Sequence, residues 1–287
     1  MTVAMNSKYN RGIKVLMICV TATIATCSWA AGYSAQGATT DNVLQLRTGA
    51  QLSKKWHNGL KLSFSEELRF DLYDHLTGEN AKGEIFDTTS AAFSKSYTTL
   101  TLGYTPIEYV KFDLGYTLRI LGRKNSSNAN EFIRHRAFVS VTGSYRFPLA
   151  KIYLRERFLC DIRTDSVNLE EKNRFNWLMR SRIGADFTIP GKPVKPYIWG
   201  ELENTLNVPV YQQRNGQQFI SHVRAQIGVK WRLSMLSSLD FYYRFQYGYN
   251  RNVNINNGYY EGKSLKLRLD EETTFLHAIG VVYNVDW

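Results

Sequence analysis

Arginine recurs at a spacing of two along this 287-residue sequence: Arg134 with Arg136, Arg155 with Arg157, Arg180 with Arg182. Glu67 and Arg69 repeat the spacing, and Arg119, Arg224 and Arg244 sit in similar stretches. Successive residues of a strand point to opposite sides, so a spacing of two collects these side chains on one face. A guanidinium offers five donors in a rigid fork that fits carboxylates and phosphates. Two kinds of chemistry follow. Where acids share the face, Arg–carboxylate forks tie neighbouring strands together; where they do not, the face attracts anions.

Catalytic sets are harder to assemble. Hydrolysis of lipid by a barrel needs a His and a Ser close together on one strand face, with a third group orienting the imidazole. No His-x-Ser pair occurs, and His57, His75, His135, His222 and His277 are scattered over separate segments. Asp74 and His75 are adjacent and so point to opposite faces. No Cys/His cluster has metal-ligand spacing, and no cofactor is implied. The chain reads as a non-enzyme, with a lipid-modifying activity as the weaker alternative. A net charge of +11 raises nucleic acid as a partner. The basic residues alternate with apolar ones and form no contiguous patch, which argues against it.

The elements carrying these residues are strands. Leu60, Leu62, Phe64, Leu68, Phe70 and Leu72 alternate with Lys61, Ser63, Ser65, Glu67, Arg69 and Asp71; Val110 to Ile120 alternates as cleanly. Short turns near residues 57, 106, 148, 192 and 234 separate long polar loops near 80, 126, 168, 212 and 258. His57-Asn58-Gly59 is a hairpin signal. Trp56, Tyr104, Tyr109, Tyr145, Phe147, Tyr197, Trp231 and Trp287 cluster at the short turns and the terminus; Tyr73, Phe132, Phe175, Trp177, Tyr247 and Tyr249 lie near the long loops. Two aromatic belts, short turns on one side and long loops on the other describe an outer-membrane barrel rather than a soluble sandwich. The expected fold is all-β, a transmembrane antiparallel up-and-down barrel of about 10–12 strands. Counting gives eleven, an awkward number because such barrels are normally even-stranded. The segment Val43–Trp56 is the surplus strand, either an extra partner of the second strand or a sign of a miscount.

In that frame the arginine-bearing face lines the interior and the apolar face meets lipid. Glu66, Glu156 and Glu201 break the pattern, each following an alternating apolar pair: Leu62 and Phe64, Ile152 and Leu154, Tyr197 and Trp199. A charge on the lipid face costs up to about 2–4 kcal/mol at mid-depth. These three are therefore expected at β-bulges that swing the carboxylates inward, or at a contact between two barrels.

Residues 1–35 read as a secretory leader, basic at first, then the apolar run Val15–Val20, with small-residue cleavage sites ending at Ala30 or Ala35. Cys27 offers a weaker lipoprotein site. Residues 36–287 form the barrel domain, in which the single remaining thiol, Cys160, shares the apolar register of Phe158 and Ile162 and is read as inert. The final segment alternates through Phe275, Ile279, Val281, Tyr283 and Val285 to a terminal Trp287. It resembles the terminal strand by which the outer-membrane assembly machinery recognises its barrel clients.

The stretches Gln45–Asp74, Phe132–Phe147 and Tyr153–Phe158 resemble a family of Gram-negative outer-membrane barrels known as a domain of unknown function. That resemblance implies fold and outer-membrane location and carries over no functional residue. The candidate lumen-lining residues are therefore those of the alternating register: Glu67, Arg69, Arg119, Arg134, Arg136, Arg155, Arg157, Arg180, Arg182, Arg224 and Arg244. Two readings follow, an interior plugged by Arg–carboxylate forks or a narrow passage or binding barrel for small, anionic solutes. A third places function in surface recognition by the loop Arg251–Lys263, with Tyr259 and Tyr260. Expected partners are outer-membrane lipid and lipopolysaccharide, the assembly machinery through the strand ending at Trp287, and a small solute, for a monomer or weak homo-oligomer.

Overall fold

The computed structural model describes residues 37–79, 85–122, 133–163, 174–208, 220–261 and 264–287. The leader, the loop tips near 126, 168 and 212, and Phe132 lie outside the described residues. Eleven strands follow one another: β1 (Gly37–Lys55), β2 (Leu60–Glu79), β3 (Ile85–Ile107), β4 (Val110–Leu121), β5 (Ile133–Arg146), β6 (Ala150–Arg163), β7 (Phe175–Phe187), β8 (Val194–Thr205), β9 (Ile220–Arg232), β10 (Ser237–Glu261) and β11 (Ser264–Asp286). Consecutive strands pair antiparallel, and the barrel closes where β1 pairs with β11 in parallel. The odd strand number is thus real. With eleven strands in meander order the first and last must run the same way, and β1 has β2 on one side and β11 on the other.

Local chemistry makes the turns. At the first, Gly59 has φ of 83°, the left-handed region that glycine enters without steric penalty. Asn58 Oδ1 accepts the Leu60 amide at 3.2 Å, and the Trp56 amide donates to Leu60 O at 2.9 Å. The chain end is tied to the same rim: the Trp287 amide donates to Ser53 O at 3.0 Å and the Lys55 amide to Trp287 O at 3.2 Å. At the opposite rim two stretches read as loops are strand. β2 runs on to Glu79 and β3 starts at Ile85, although Asp74 to Ala92 is polar. β10 and β11 pair up to Glu261 and Ser264, past a register shift between Asn254 and Tyr259. Polar composition hides a strand when both its faces meet water.

Alternation sorts the faces. Along β4, Asp113, Thr117 and Arg119 are buried in the interior while Phe112, Leu114, Tyr116 and Ile120 are exposed outside. Among the described residues the other strands repeat this, so most of the large apolar side chains form the outer surface. The interior also holds two small apolar clusters, Phe138–Leu159–Leu178 and Tyr197–Trp199–Tyr242. Glycines on adjacent strands make room for these rings: a Cβ on Gly115 would come within 2.2 Å of Phe138, and one on Gly280 within 2.0 Å of Tyr242.

Candidate functional site

The inner wall is organised as rows that cross the strands. In one, Arg155 of β6 stands opposite Arg182 of β7, which stands opposite Glu201 of β8 and then Arg224 of β9. In the next, Arg157, Arg180, Glu203 and His222 take the same places. Like charges directly opposed across two strands are destabilising by themselves. Here two glutamates hold five of the six basic groups, and Arg157 lies over the Phe138 ring, 4.4 Å from its centre. Glu201 receives Arg182 Nη2 at 2.6 Å, Arg224 Nη1 at 3.0 Å and Arg155 Nη2 at 3.5 Å. Glu203 takes Arg180, Arg224 Nη1 at 3.0 Å and His222 Nδ1 at 2.9 Å. Both carboxylates are buried, where a pair holds only if its remaining donors and acceptors are satisfied.

A second group spans β2 to β6. Arg69 grips Glu67 at 2.6 Å, while Arg119 (2.7 Å) and Arg136 share Asp161. The Tyr97 ring lies between the guanidinium groups of Arg69 (3.9 Å) and Arg119 (5.4 Å), a cation–π stack.

The third group is at the closing seam and uses amides in place of acids. Arg47 Nε donates to Gln45 Oε1 at 2.6 Å, and that glutamine's nitrogen donates to Asp71 at 2.7 Å. Arg244 Nε donates to Gln226 Oε1 at 2.7 Å; the Gln226 nitrogen donates to Tyr197, whose hydroxyl donates to Asp240 at 2.9 Å.

Between these groups lies a cavity of about 330 Å³ whose lining includes nine arginines (Arg47, Arg69, Arg119, Arg136, Arg157, Arg180, Arg182, Arg224 and Arg244) and Lys95 against three carboxylates, Glu67, Glu201 and Glu203. Such a surplus gives the space a positive potential, strengthened by the low-dielectric wall. It suits an anion.

All eleven sequence-derived lumen candidates stand in the inward register, and nine of them line this cavity. Arg155 and Arg134 do not: Arg155 is committed to Glu201, and Arg134 faces Arg163 and Arg119. The glutamate expectation needs correction. No register shift falls at Glu66, Glu156 or Glu201. Glu66 and Glu156 point outward, where hydroxyls on the next strand satisfy them: Ser96 and Thr98 each donate to Glu66 at 2.5 Å, and Ser181 donates to Glu156 at 2.6 Å. Glu201 points inward without any bulge, because the β8 register is the reverse of the one expected: Tyr197, Trp199, Glu201 and Glu203 face in, while Ile198 is 50% exposed outside. Tyr197 therefore does not belong to the outer aromatic ring, whereas Trp56, Tyr104, Phe147, Trp231 and Trp287 are exposed as expected. Aromatic residues suit either face of such a wall, so their position alone could not set the register.

Sequence reasoning missed Glu203, Arg47 and Lys95, and the amides Gln45 and Gln226. Glu203 was detectable, since Glu201-Leu202-Glu203 has the spacing of the arginine pairs. His222 faces the cavity, its Nδ1 2.9 Å from Glu203 Oε1 and 3.1 Å from the Ser221 hydroxyl, which also donates to the Glu203 carbonyl at 3.2 Å. Cys160 is buried among its outward neighbours. The backbone of the Arg251–Lys263 hairpin is strand up to its tip, and its side chains lie outside the described residues.

The family model described as protein of unknown function (DUF2490) matches residues 44–257, most of the barrel. The chain belongs to that family. Among solved structures, one titled "NanC porin structure in rhombohedral crystal form" is similar at 10% identity and a TM-score of 0.41, covering 70% of this chain and 86% of that one. No curated protein matches the sequence.

Proposed function

We propose that this chain is an outer-membrane barrel that offers small anions a narrow passage. The observation that carries the reading is the cavity wall, with ten basic side chains set against three carboxylates. Ion selectivity in narrow pores comes from such rings of one charge at close quarters. The location rests on the outer surface, where Leu62, Phe64, Leu100, Leu114, Ile183, Ile198 and Ile227 are all exposed. A soluble protein rarely shows contiguous apolar patches beyond a few hundred Å². Exposed aromatics at both rims, such as Trp56 and Trp287 below and Tyr73 and Trp177 above, fit interfacial belts. Export by the leader of residues 1–35, insertion through the strand ending at Trp287, contact with lipid and lipopolysaccharide, and a monomeric or weakly associated state belong to the same proposal.

The test is planar-bilayer conductance of the purified protein under a potassium chloride gradient. Channel events with a zero-current potential displaced towards that of chloride are expected. Cation preference would overturn the charge argument. A second reading, a filled and non-conducting barrel, is favoured by the two apolar clusters inside the wall; a folded barrel with no channel events would decide for it.

A further inference from the structure

Three inward arginines at the closing seam stand apart from the rest of the wall in what holds them. Arg47 on β1 is directly opposite Arg69 on β2, and Arg244 on β10 reaches the same space across β11. The residues of β11 between them are Ala278 and Gly280: Ala278 pairs with Gln45 on one side and Arg244 on the other, and Gly280 with Arg47 and Tyr242. β11 carries no bulky side chain here; the Tyr242 ring fills the space over Gly280, and Arg47 and Arg244 both line the cavity beside it. Arg69 is the only one of the three with a carboxylate, Glu67.

Arg47 and Arg244 are positioned without being neutralised. Each is gripped at Nε by a glutamine oxygen, and each glutamine is anchored by an acid further back, Asp71 directly and Asp240 through Tyr197. An amide fixes the direction of a guanidinium while leaving its charge and its Nη donors for something else. Arg244 is further braced, its guanidinium 5.2 Å from the Trp199 ring centre and 5.3 Å from that of Tyr242. Arg47 is 1% exposed, yet its Nη1 has no hydrogen-bond partner among the described residues. A buried charged donor left unpaired is costly, about 1–3 kcal/mol or more. On β6 to β9, Arg180, Arg182 and Arg224 each have an acid, and Arg157, which has none, lies 4.4 Å over the Phe138 ring centre; Arg47 has neither an acid nor a ring.

We infer that Arg47, Arg69 and Arg244 form a built subsite for a compact oxyanion carrying one or two negative charges: a phosphate, sulfate or carboxylate group. The inference rests on the anion-passage reading and deepens it, because the solute is bound at a discrete point of the wall. One acid among three guanidinium groups leaves two charges to be balanced, and the pre-aimed Nη donors suit two or three oxygens of one group.

The experiment uses the full barrel in two formats. In bilayers, inorganic phosphate, sulfate or succinate is added to a chloride solution at constant ionic strength. A saturable fall in chloride current is expected, with the half-blocking concentration raised about tenfold or more in R47Q and in R244Q, and unchanged in K61Q, whose partner is Asp286 at the short-turn rim. In detergent, the same three anions should raise the unfolding temperature of the parent and of K61Q, not of R47Q or R244Q. The ranking of the anions identifies the chemical group. Chloride conduction with neither block nor stabilisation by any of them would overturn the subsite while leaving the passage intact. Stabilisation without channel events would end the passage and keep the subsite. Equal stabilisation of parent and both arginine variants would mark a general salt effect and overturn the subsite. Should R47Q fail to fold, R244Q carries the same reading.

Discussion

Two sectors of one inner wall treat the same residue differently. On β6 to β9, Arg155, Arg180, Arg182 and Arg224 share Glu201 and Glu203. At the seam of β1, β2 and β10, glutamines take the place of acids and two guanidinium groups keep their charge. The first arrangement is a brace: removing one partner strands buried charges, so the set stands or falls together. The second keeps donors aimed and available. An arginine-rich interior is therefore not evidence of one role. What the guanidinium is bonded to decides whether it holds the wall or faces a ligand.

The largest effect that could break this comparison is on stability. E203A should destabilise the barrel by about 3–5 kcal/mol, because Arg180, Arg224 and His222 lose a shared buried partner. R244Q should cost about 1.5–3 kcal/mol, the order of one hydrogen bond to a charged group. Urea unfolding of the two variants in lipid vesicles reads the difference, and equal losses would erase the distinction between sectors. Next, G280A places a Cβ against the Tyr242 ring and should cost about 1–3 kcal/mol as an overpacked contact. It should also weaken phosphate block, since Tyr242 braces Arg244; block unchanged at reduced stability would separate the ring from the subsite.

The sharpest exchange converts one sector into the other. Q45E and Q226E supply acids at the positions that now orient Arg47 and Arg244, and should abolish most phosphate block, about tenfold in affinity; each also lowers stability, because the amide nitrogens that donate to Asp71 and to Tyr197 are lost. Block preserved in both would show that the amides are not the reason these arginines stay available. Smallest of all, E66Q should change stability by less than about 1 kcal/mol. Of its hydroxyl partners Ser96 and Thr98, one can still donate to the amide oxygen and the other can accept from the amide nitrogen. A large loss in vesicles would mean that the outward carboxylate has a role the hydroxyls do not explain.

The strand order, the turn at Asn58-Gly59 and the inward face of β2, β4, β5, β6 and β7 were legible, since polar and apolar residues alternate along most of each strand, with Glu66 and Glu156 as isolated breaks. β8 was misread because Tyr197 and Trp199 sit inside, packed with Tyr242, so the apolar residues on its two faces no longer differ in kind. That error placed Glu201 outside and left Glu203 unnoticed. Glu66 and Glu156 were correctly recognised as breaks in the pattern, and their remedy lay on neighbouring strands that the pattern of one strand does not contain.

By itself the sequence determined that the chain is a ring of strands with two unlike faces, because side-chain alternation is a property of a few consecutive residues. Only the tertiary structure decided that β1 closes the ring in parallel with β11, and which group meets each guanidinium. Partners such as Gln45 with Asp71, or Arg224 with Glu203, are set by cross-strand register. Register couples residues far apart in the chain, and a one-residue slip would hand every arginine to the opposite face.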